Sequence, residues 1–375
     1  MPENKGTILY VGGFELPDKN AAAHRVLNNA KIFRDLGFNV VFCGVNRDIT
    51  DNDNYTEVIS GFDSMPMPYP VSSKEWVKQL LDSKHYLKMF SLYEDIRIVV
   101  CYNLHSAPLA KLLRFCKKRG IKLVADCTEW YDNMPSLNLI KLIKCIDTFL
   151  CMRVYQKKCD GMIAISSYLA DYYKKSVKHI IVVPPLVDLD DKKYIFDGEK
   201  PKNAITTLVY SGSPSASKEL LGEVVKSLNN ITDLNFNLKI VGIDYDQFCG
   251  MYNVLPDREK IGFMGRVSHE TALQTVRESD YAIIVRPKTR VTMAGFPTKF
   301  AEAISVGTAV IANDTSDLSK YLKSGKNGYL VDVSLLDNEF RRILLGKRPD
   351  VEKETFDFRR YIVNFQNFIN NVVLE

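Results

Sequence analysis

The chain contains neither a Gly-Lys-Ser/Thr phosphate loop nor a Gly-x-Gly-x-x-Gly turn, which argues against an ATP-type phosphate clamp and an NAD-type dinucleotide site. Its eight cysteines form no Cys-x-x-Cys pair, and the five histidines supply no partner motif. Reduced thiols in the cytoplasm are therefore expected, and no metal site. No apolar run approaches the roughly 18 to 20 residues a membrane-spanning helix needs. Met1-Pro-Glu-Asn-Lys5 opens without an apolar export segment, so the protein is expected to be cytoplasmic and not to span a bilayer. Charge of one sign is not in large excess: 50 Lys and Arg against 45 Asp and Glu leave a net +5. That balance suits anionic ligands or a membrane surface but falls short of a nucleic-acid signature, so no nucleic-acid partner is expected. No short-period repeat is present, which excludes a solenoid.

What is present reads as two α/β halves. With 375 residues, 46% hydrophobic, the chain is long enough for two domains with separate cores. In the first half, 7–13 reads as a buried strand ending in the turn Gly12-Gly13. Residues 21–36 follow as a helix, with Ala22, Val26, Ala30 and Phe33 at helical spacing, and 39–44 reads as the next strand. Further strands are expected at 98–102, 123–126, 162–165 and 180–184. Residues 187–204 turn polar and read as a linker. Strands then resume at 207–211, 238–242, 261–264, 281–285, 310–312 and 328–331, and the last twenty residues read as a closing helix. The alternation predicts mostly parallel, doubly wound sheets whose ligand lies in a cleft at the carboxyl ends of the strands.

The most telling segment is Ala294-Gly-Phe-Pro-Thr-Lys-Phe-Ala-Glu-Ala-Ile-Ser-Val-Gly307, followed by the strand-like 309–314. Pro297 suits the first turn of a helix and Gly307 the left-handed position that ends one. Lys299 in the opening turn is disfavoured by the helix dipole unless an anion lies nearby, which points to a phosphate. One turn on, Glu302 can accept from neutral hydroxyls such as a ribose offers. The loop 211–218, Ser-Gly-Ser-Pro-Ser-Ala-Ser-Lys, lets backbone N–H groups approach an anion and brings Lys218 near a helix start. Two cationic helix mouths can grip a diphosphate.

Taken together, Gly12-Gly13, the run 159–166, Ser211-Gly-Ser-Pro with Lys218, and Gly295-Phe-Pro-Thr-Lys with Glu302-Ala-Ile-Ser-Val-Gly-Thr resemble the retaining nucleotide-sugar glycosyltransferases of GT-B fold, family 4 (glycosyl transferases group 1). The likeness runs over nearly the whole chain and is most specific in the second half. It implies two Rossmann-like doubly wound domains facing each other across a cleft. The acceptor domain would be 1–190, the nucleotide-sugar domain 191–356, and a final helix at 357–375 would pack back on the first domain. It also implies a hexosyltransferase-type enzyme of polysaccharide or glycoconjugate assembly. A sugar would move from a nucleotide-diphosphate donor to a hydroxyl of a saccharide or lipid-linked acceptor, with retention, without a metal, and with no cofactor beyond the donor.

By that resemblance Glu302 would grip the ribose and Lys218 the diphosphate, and Phe296, Pro297, Thr298 and Lys299 would contact the donor, as would Gly13. Two positions depart from the family: Ala294 stands where a donor-contacting glutamate is common, and Ser213 where an arginine is common. Arg286 or Arg290 is the candidate replacement cation. Lys218 and Lys299 would stabilise the charge growing on the leaving diphosphate. For deprotonating the acceptor, the polar groups after the first-half strands are Asn103, His105, Asp126 and Glu129. His24, inside the first helix after the Gly turn, reads as half-buried packing, with reach to the acceptor as the alternative. Asp51-Asn-Asp53, Asp188-Leu-Asp190 and Asp244-Tyr-Asp246 read as chance occurrences of a metal-binding Asp-x-Asp pattern.

Residues 137–158 mix Leu, Ile and Phe with five basic residues, and 111–122 holds six basic residues and no acid. These faces suit either solvated helix surfaces or peripheral contact with anionic lipid at the inner membrane face. Two other functions share the two-domain shape: a nucleotide-sugar 2-epimerase and a non-catalytic nucleotide-sugar binder.

Overall fold

The apolar strand 7–12, the amphipathic helix after it and the strand beyond Gly37 form a right-handed βαβ unit, because each element can bury its apolar face only against the other two. In the computed structural model, which describes residues 5–49, 55–132 and 138–374, the helix runs Ala21–Asp35 with the Asn20 side chain capping the N–H of Ala23. The strands of the first compact unit are β1 Thr7–Gly12, β2 Asn39–Cys43, β3 Val45–Asn46, β4 Glu57–Ile59, β5 Phe62–Ser64, β6 Met67–Pro68, β7 Ile96–Tyr102, β8 Lys122–Cys127, β9 Gly161–Ala164 and β10 His179–Val182. Eight of them make one sheet in the order β10-β9-β8-β7-β1-β2-β5-β4, parallel except for the β4–β5 pair at its edge. β3 and β6 pair separately.

The second unit has six parallel strands: β11 Thr206–Ser211, β12 Phe236–Val241, β13 Ile261–Gly265, β14 Tyr281–Ile284, β15 Ala309–Ala312 and β16 Gly328–Leu330. They are ordered β13-β12-β11-β14-β15-β16. In each sheet the strand order reverses next to the first strand, between β1 and β7 in one and between β11 and β14 in the other. Crevices at such switch points are where doubly wound sheets bind ligands.

One unit comprises residues up to Leu186 together with Phe358 onward, and the other Val187–Asp357. The helix Ile362–Val373 belongs to the first unit because Phe365, Phe368, Ile369 and Val372 join its core. Phe365 meets Phe33 edge to face at 5.3 Å, and a Cβ at Gly161 would come within 2.8 Å of Val372. The segment expected to link the halves begins pinned: Val187 donates its N–H to the Phe356 carbonyl at 2.9 Å. Among the described residues no helix is long and apolar enough to cross a membrane. Met1-Pro-Glu-Asn, Asp51-Asn-Asp53 and Leu137 lie outside the described residues.

Candidate functional site

The second unit's switch point gathers most of the charged residues singled out above. β11 ends at Ser211, and the loop 212–220 folds back so that Leu220 donates its N–H to the Val285 carbonyl at 2.9 Å, just past β14. This loop starts at Gly212, whose φ of +128° excludes ordinary side chains and whose missing Cβ leaves space for Lys299 Cε, 2.5 Å from where that carbon would be. Lys299 thus lies across a glycine.

The helix Thr298–Ser305 has Pro297 as its N-cap, one position earlier than the sequence suggests, and its last turn leads into Gly307 at φ +77°. Its opening-turn cation is only partly open to solvent, the Lys299 side chain being 21% exposed. Lys299 Nζ donates to Tyr210 Oη at 2.7 Å and pairs with Glu219 Oε1 at 3.2 Å. Burial pulls this ammonium below the ordinary lysine range, and the Glu219 carboxylate works against that pull. The cation is therefore not bare: the Glu219 carboxylate is paired with it. The other Glu219 oxygen, Oε2, is buried without a hydrogen-bond partner among the described residues.

Arg286 follows β14 and is 7% exposed. Its backbone is clamped by Asn313, which accepts from the Arg286 N–H and donates to the Arg286 carbonyl, both at 2.8 Å. Nε reaches the Lys218 carbonyl at 3.3 Å, and Nη1 is buried with no partner among the described residues. Burial lowers the Arg286 pKa, while nearby Glu219 favours its charged form. Arg286 is among the residues that line a pocket of about 750 Å3, with Lys288, Asn313, Asp314, Asp332 and Ser334. That volume is in the range of small-molecule sites. Of the two candidate replacement cations, Arg286 is built into the site and Arg290 is exposed at the start of the helix Arg290–Ala294.

Glu302 lies one turn beyond Lys299, and its Oε1 is 3.3 Å from His269 Nε2. Ser211, His269, Lys299 and Glu302 line one small cavity of about 20 Å3, room for a water molecule. Lys218 and Ser213 are exposed on the loop 212–220, with Lys218 next in sequence to buried Glu219. Two of the residues expected to contact the donor have buried side chains. Phe296 is 6% exposed and packs on Phe300, Tyr321 and Phe356 with ring separations of 5.7 to 6.1 Å, so it belongs to the core. Pro297 is buried beside it and acts as the cap, while Thr298 is partly exposed at the helix mouth. Ala294 is fully buried, leaving no open room for the glutamate the family often carries. Glu219, Tyr210, His269 and Asn313 were not anticipated. The only available signal was Asn313 directly after a strand.

In the first unit, Gly12 (φ +145°) brings the end of β1 against Tyr102 at the end of β7, so that a Cβ would lie 1.9 Å from the Tyr102 carbonyl. Gly13 is exposed, and a Cβ there would meet nothing within 4 Å. Asn103 takes a left-handed φ of +43° and donates to Thr128 Oγ1 at 3.2 Å. His105 caps the helix Ser106–Arg119, and its Nδ1 lies 2.9 Å from Asp147 Oδ2. Burial pushes the Asp147 carboxyl up, but the hydrogen bonds from His105 and Ser106 outweigh it and hold the group below the usual carboxylate range.

Asp126 is not available as a catalyst. It is fully buried, accepting from Tyr10 Oη, from Arg25 Nε at 2.8 Å and from Asn29 Nδ2 at 3.3 Å. Arg25 goes on to the Val183 carbonyl at 2.9 Å, which ties β8 to the helix Ala21–Asp35 and to the chain after β10. Glu129 is exposed. His24 is half-buried and pairs with Asp18. Asp188 and Asp244 accept backbone N–H groups of their own loops, from Asp190 at 3.1 Å and Gln247 at 2.8 Å, as structural caps do.

Residues 191–347 match the model of the family Glycosyl transferases group 1. No curated protein matches the chain. Among solved structures, a sucrose-phosphate synthase from Thermosynechococcus elongatus superposes with a TM-score of 0.69 at 13% identity, covering 99% of this chain and 100% of that one. The catalytic domain of starch synthase IV from Arabidopsis thaliana, bound to ADP and acarbose, gives 0.68 at 10% identity over 99% and 100%. A glycosyltransferase from Rickettsia africae gives 0.66 at 15% identity over 99% of each chain. At these identities the likeness speaks for the fold, which is that of the GT-B glycosyltransferases.

Proposed function

We propose that the chain is a glycosyltransferase that moves a hexosyl group from a nucleotide-diphosphate sugar to a hydroxyl of a saccharide or lipid-linked acceptor, with retention and without a metal, in polysaccharide or glycoconjugate assembly. The observation that carries this reading is Arg286, a buried residue that lines a ligand-sized pocket, feels the charge of Glu219 and leaves its Nη1 without a partner among the described residues. A buried donor without an acceptor is costly unless a ligand supplies one, and the positive charge calls for an anion. The match of residues 191–347 to the glycosyltransferase family and the ADP in the starch synthase relative make a nucleotide diphosphate the suitable anion.

In this reading Arg286, Lys299 and exposed Lys218 meet the diphosphate. As the glycosidic bond breaks, negative charge builds on the leaving phosphate, and cations fixed in place beforehand stabilise that state more than the intact donor. Glu302, held by His269, accepts from the ribose hydroxyls. In the first unit His105, oriented by Asp147, and exposed Glu129 are the groups able to take the acceptor proton. Arg286 substitutes for the arginine missing at Ser213.

The test is calorimetric titration with UDP-, GDP-, dTDP- and ADP-sugars on wild type and Arg286→Ala. A hydrogen bond to a charged group contributes about 1.5–3 kcal/mol, so the variant should bind the preferred donor roughly 10- to 100-fold more weakly. Unchanged affinity refutes the role of Arg286, and absence of binding to any nucleotide sugar refutes the whole reading. Epimerised sugar, or binding with no transfer or hydrolysis, would replace transferase with epimerase or binder.

A further inference from the structure

The helix Leu139–Leu150 has no fully buried residue. Leu139, Leu142, Ile146 and Phe149, spaced three and four apart, therefore form one ridge, and they are 68%, 38%, 51% and 49% exposed. The helix's only acid, Asp147, is turned inward onto His105 and the Ser106 N–H. Lys141 and Lys144 are exposed on the same helix, and the Arg153 guanidinium stacks 5.1 Å from the Phe149 ring.

The helix Ser106–Arg119 packs against this one, and its exposed residues include Lys111, Arg114, Lys117, Lys118 and Arg119, with no acid. Its carboxyl end opens onto a pocket of about 490 Å3 lined by Arg114, Lys117, Lys122 and Lys158, where the single acid, Asp160, accepts the Leu123 N–H. The chain from Phe149 to Lys158 stays helical, so the Phe149 end of the ridge lies on the order of 10–15 Å from Lys158 at the pocket.

We propose that this face of the first unit docks on an anionic lipid bilayer, with the ridge entering the boundary between headgroups and acyl chains and the basic pocket taking a lipid phosphate. An exposed apolar ridge needs a cover, and its charged border chooses which. A second copy is the poorer occupant, because a two-fold contact would set Lys141 and Lys144 of one copy near the same lysines of the other. An anionic bilayer offers acyl chain to the ridge and opposite charge to the lysines. The proposal rests on the first unit alone and does not require the transferase reading.

The experiment is co-sedimentation of the full chain with vesicles of neutral phosphatidylcholine, or with 30% phosphatidylglycerol added, at low and high salt. The expected result is binding to anionic vesicles only, falling severalfold from about 0.1 to 0.5 M salt as screening sets in. Ile146→Asp with Phe149→Asp, and separately Lys141→Glu with Lys144→Glu, should each cut binding at least tenfold; the lysines are exposed, so the second pair should leave the melting temperature unchanged, whereas the half-exposed Ile146 and Phe149 should lower it by a few degrees while the protein stays folded. Equal binding to neutral vesicles, or variants that bind like wild type, would overturn the proposal. So would a concentration-dependent dimer dissolved by the Asp variants without vesicle binding, or complete competition by inorganic phosphate at constant ionic strength.

Discussion

Glu219→Gln removes a carboxylate that compensates two cations. Lys299 Nζ sits 3.2 Å from Glu219 Oε1, and Arg286 feels the same charge while its Nη1 has no partner among the described residues. Removing one member of a buried ion pair costs about 3–5 kcal/mol. Here the Lys299 side chain keeps 21% exposure and its bond to Tyr210, so the cost falls below that range, to about 2–3 kcal/mol. For a unit of this size that is a loss of roughly 4–12 °C in melting temperature.

The pH dependence has a definite sign. Burial already holds the Lys299 pKa below its ordinary value. Between the folded and unfolded values the unfolded chain binds more protons, so stability rises with pH towards about 10.4. Without Glu219 the folded value falls further, the window extends to lower pH, and the variant's melting temperature should climb more steeply than wild type from neutral pH upward. A nucleoside diphosphate replaces the missing negative charge, so saturating UDP, ADP or GDP, whichever binds, should stabilise the variant more than wild type. Differential scanning fluorimetry across pH, with and without diphosphate, reads all three effects. A variant with unchanged stability, a parallel pH profile and an equal ligand shift would show that the Lys299–Glu219 pair is not the charge balance of this pocket.

Gly13→Ala should leave the melting temperature unchanged, since the added carbon meets nothing within 4 Å, yet lower kcat/KM if substrate approaches that backbone; unchanged kinetics would remove Gly13 from the site. Asp126→Asn should destabilise the first unit by about 3 kcal/mol by stranding Arg25, while the folded fraction keeps its kcat, and a kcat collapse in stable protein would restore Asp126 as a catalyst. Burial depresses Lys200 to about 8 where it donates to the Gly307 carbonyl and Thr308 Oγ1. Its destabilising charge is thus full below that pH and relieved above it, so wild-type stability should rise from about pH 8 towards 10 and Lys200→Met should flatten that rise in pH-resolved melts.

Alternation of apolar strands with helical spacing decided the architecture from the sequence alone. Every strand expected there is present within a residue or two, and the helix after Pro297 ends at Gly307, because burial period and glycine backbone freedom are local properties. The short edge pair β4–β5 had no such period to betray it. The placement of Lys299, Glu302 and Arg286 together could be anticipated, since strand ends converge in a doubly wound sheet.

Which polar residue is free and which is locked was a tertiary decision. Asp126 and Glu129 look alike three positions apart, yet one meets Tyr10, 116 positions away, and is sealed, while the other stays in solvent. Lys299 reads as an unpaired cation until Glu219, 80 positions earlier, is brought against it. Phe296 reads as a loop residue near substrate until Phe356 closes over it. Secondary structure follows from the periodic cost of exposing apolar groups along a few neighbouring residues. The charge state and accessibility of a side chain follow from desolvation by partners distant in sequence, and these only the folded chain brings together.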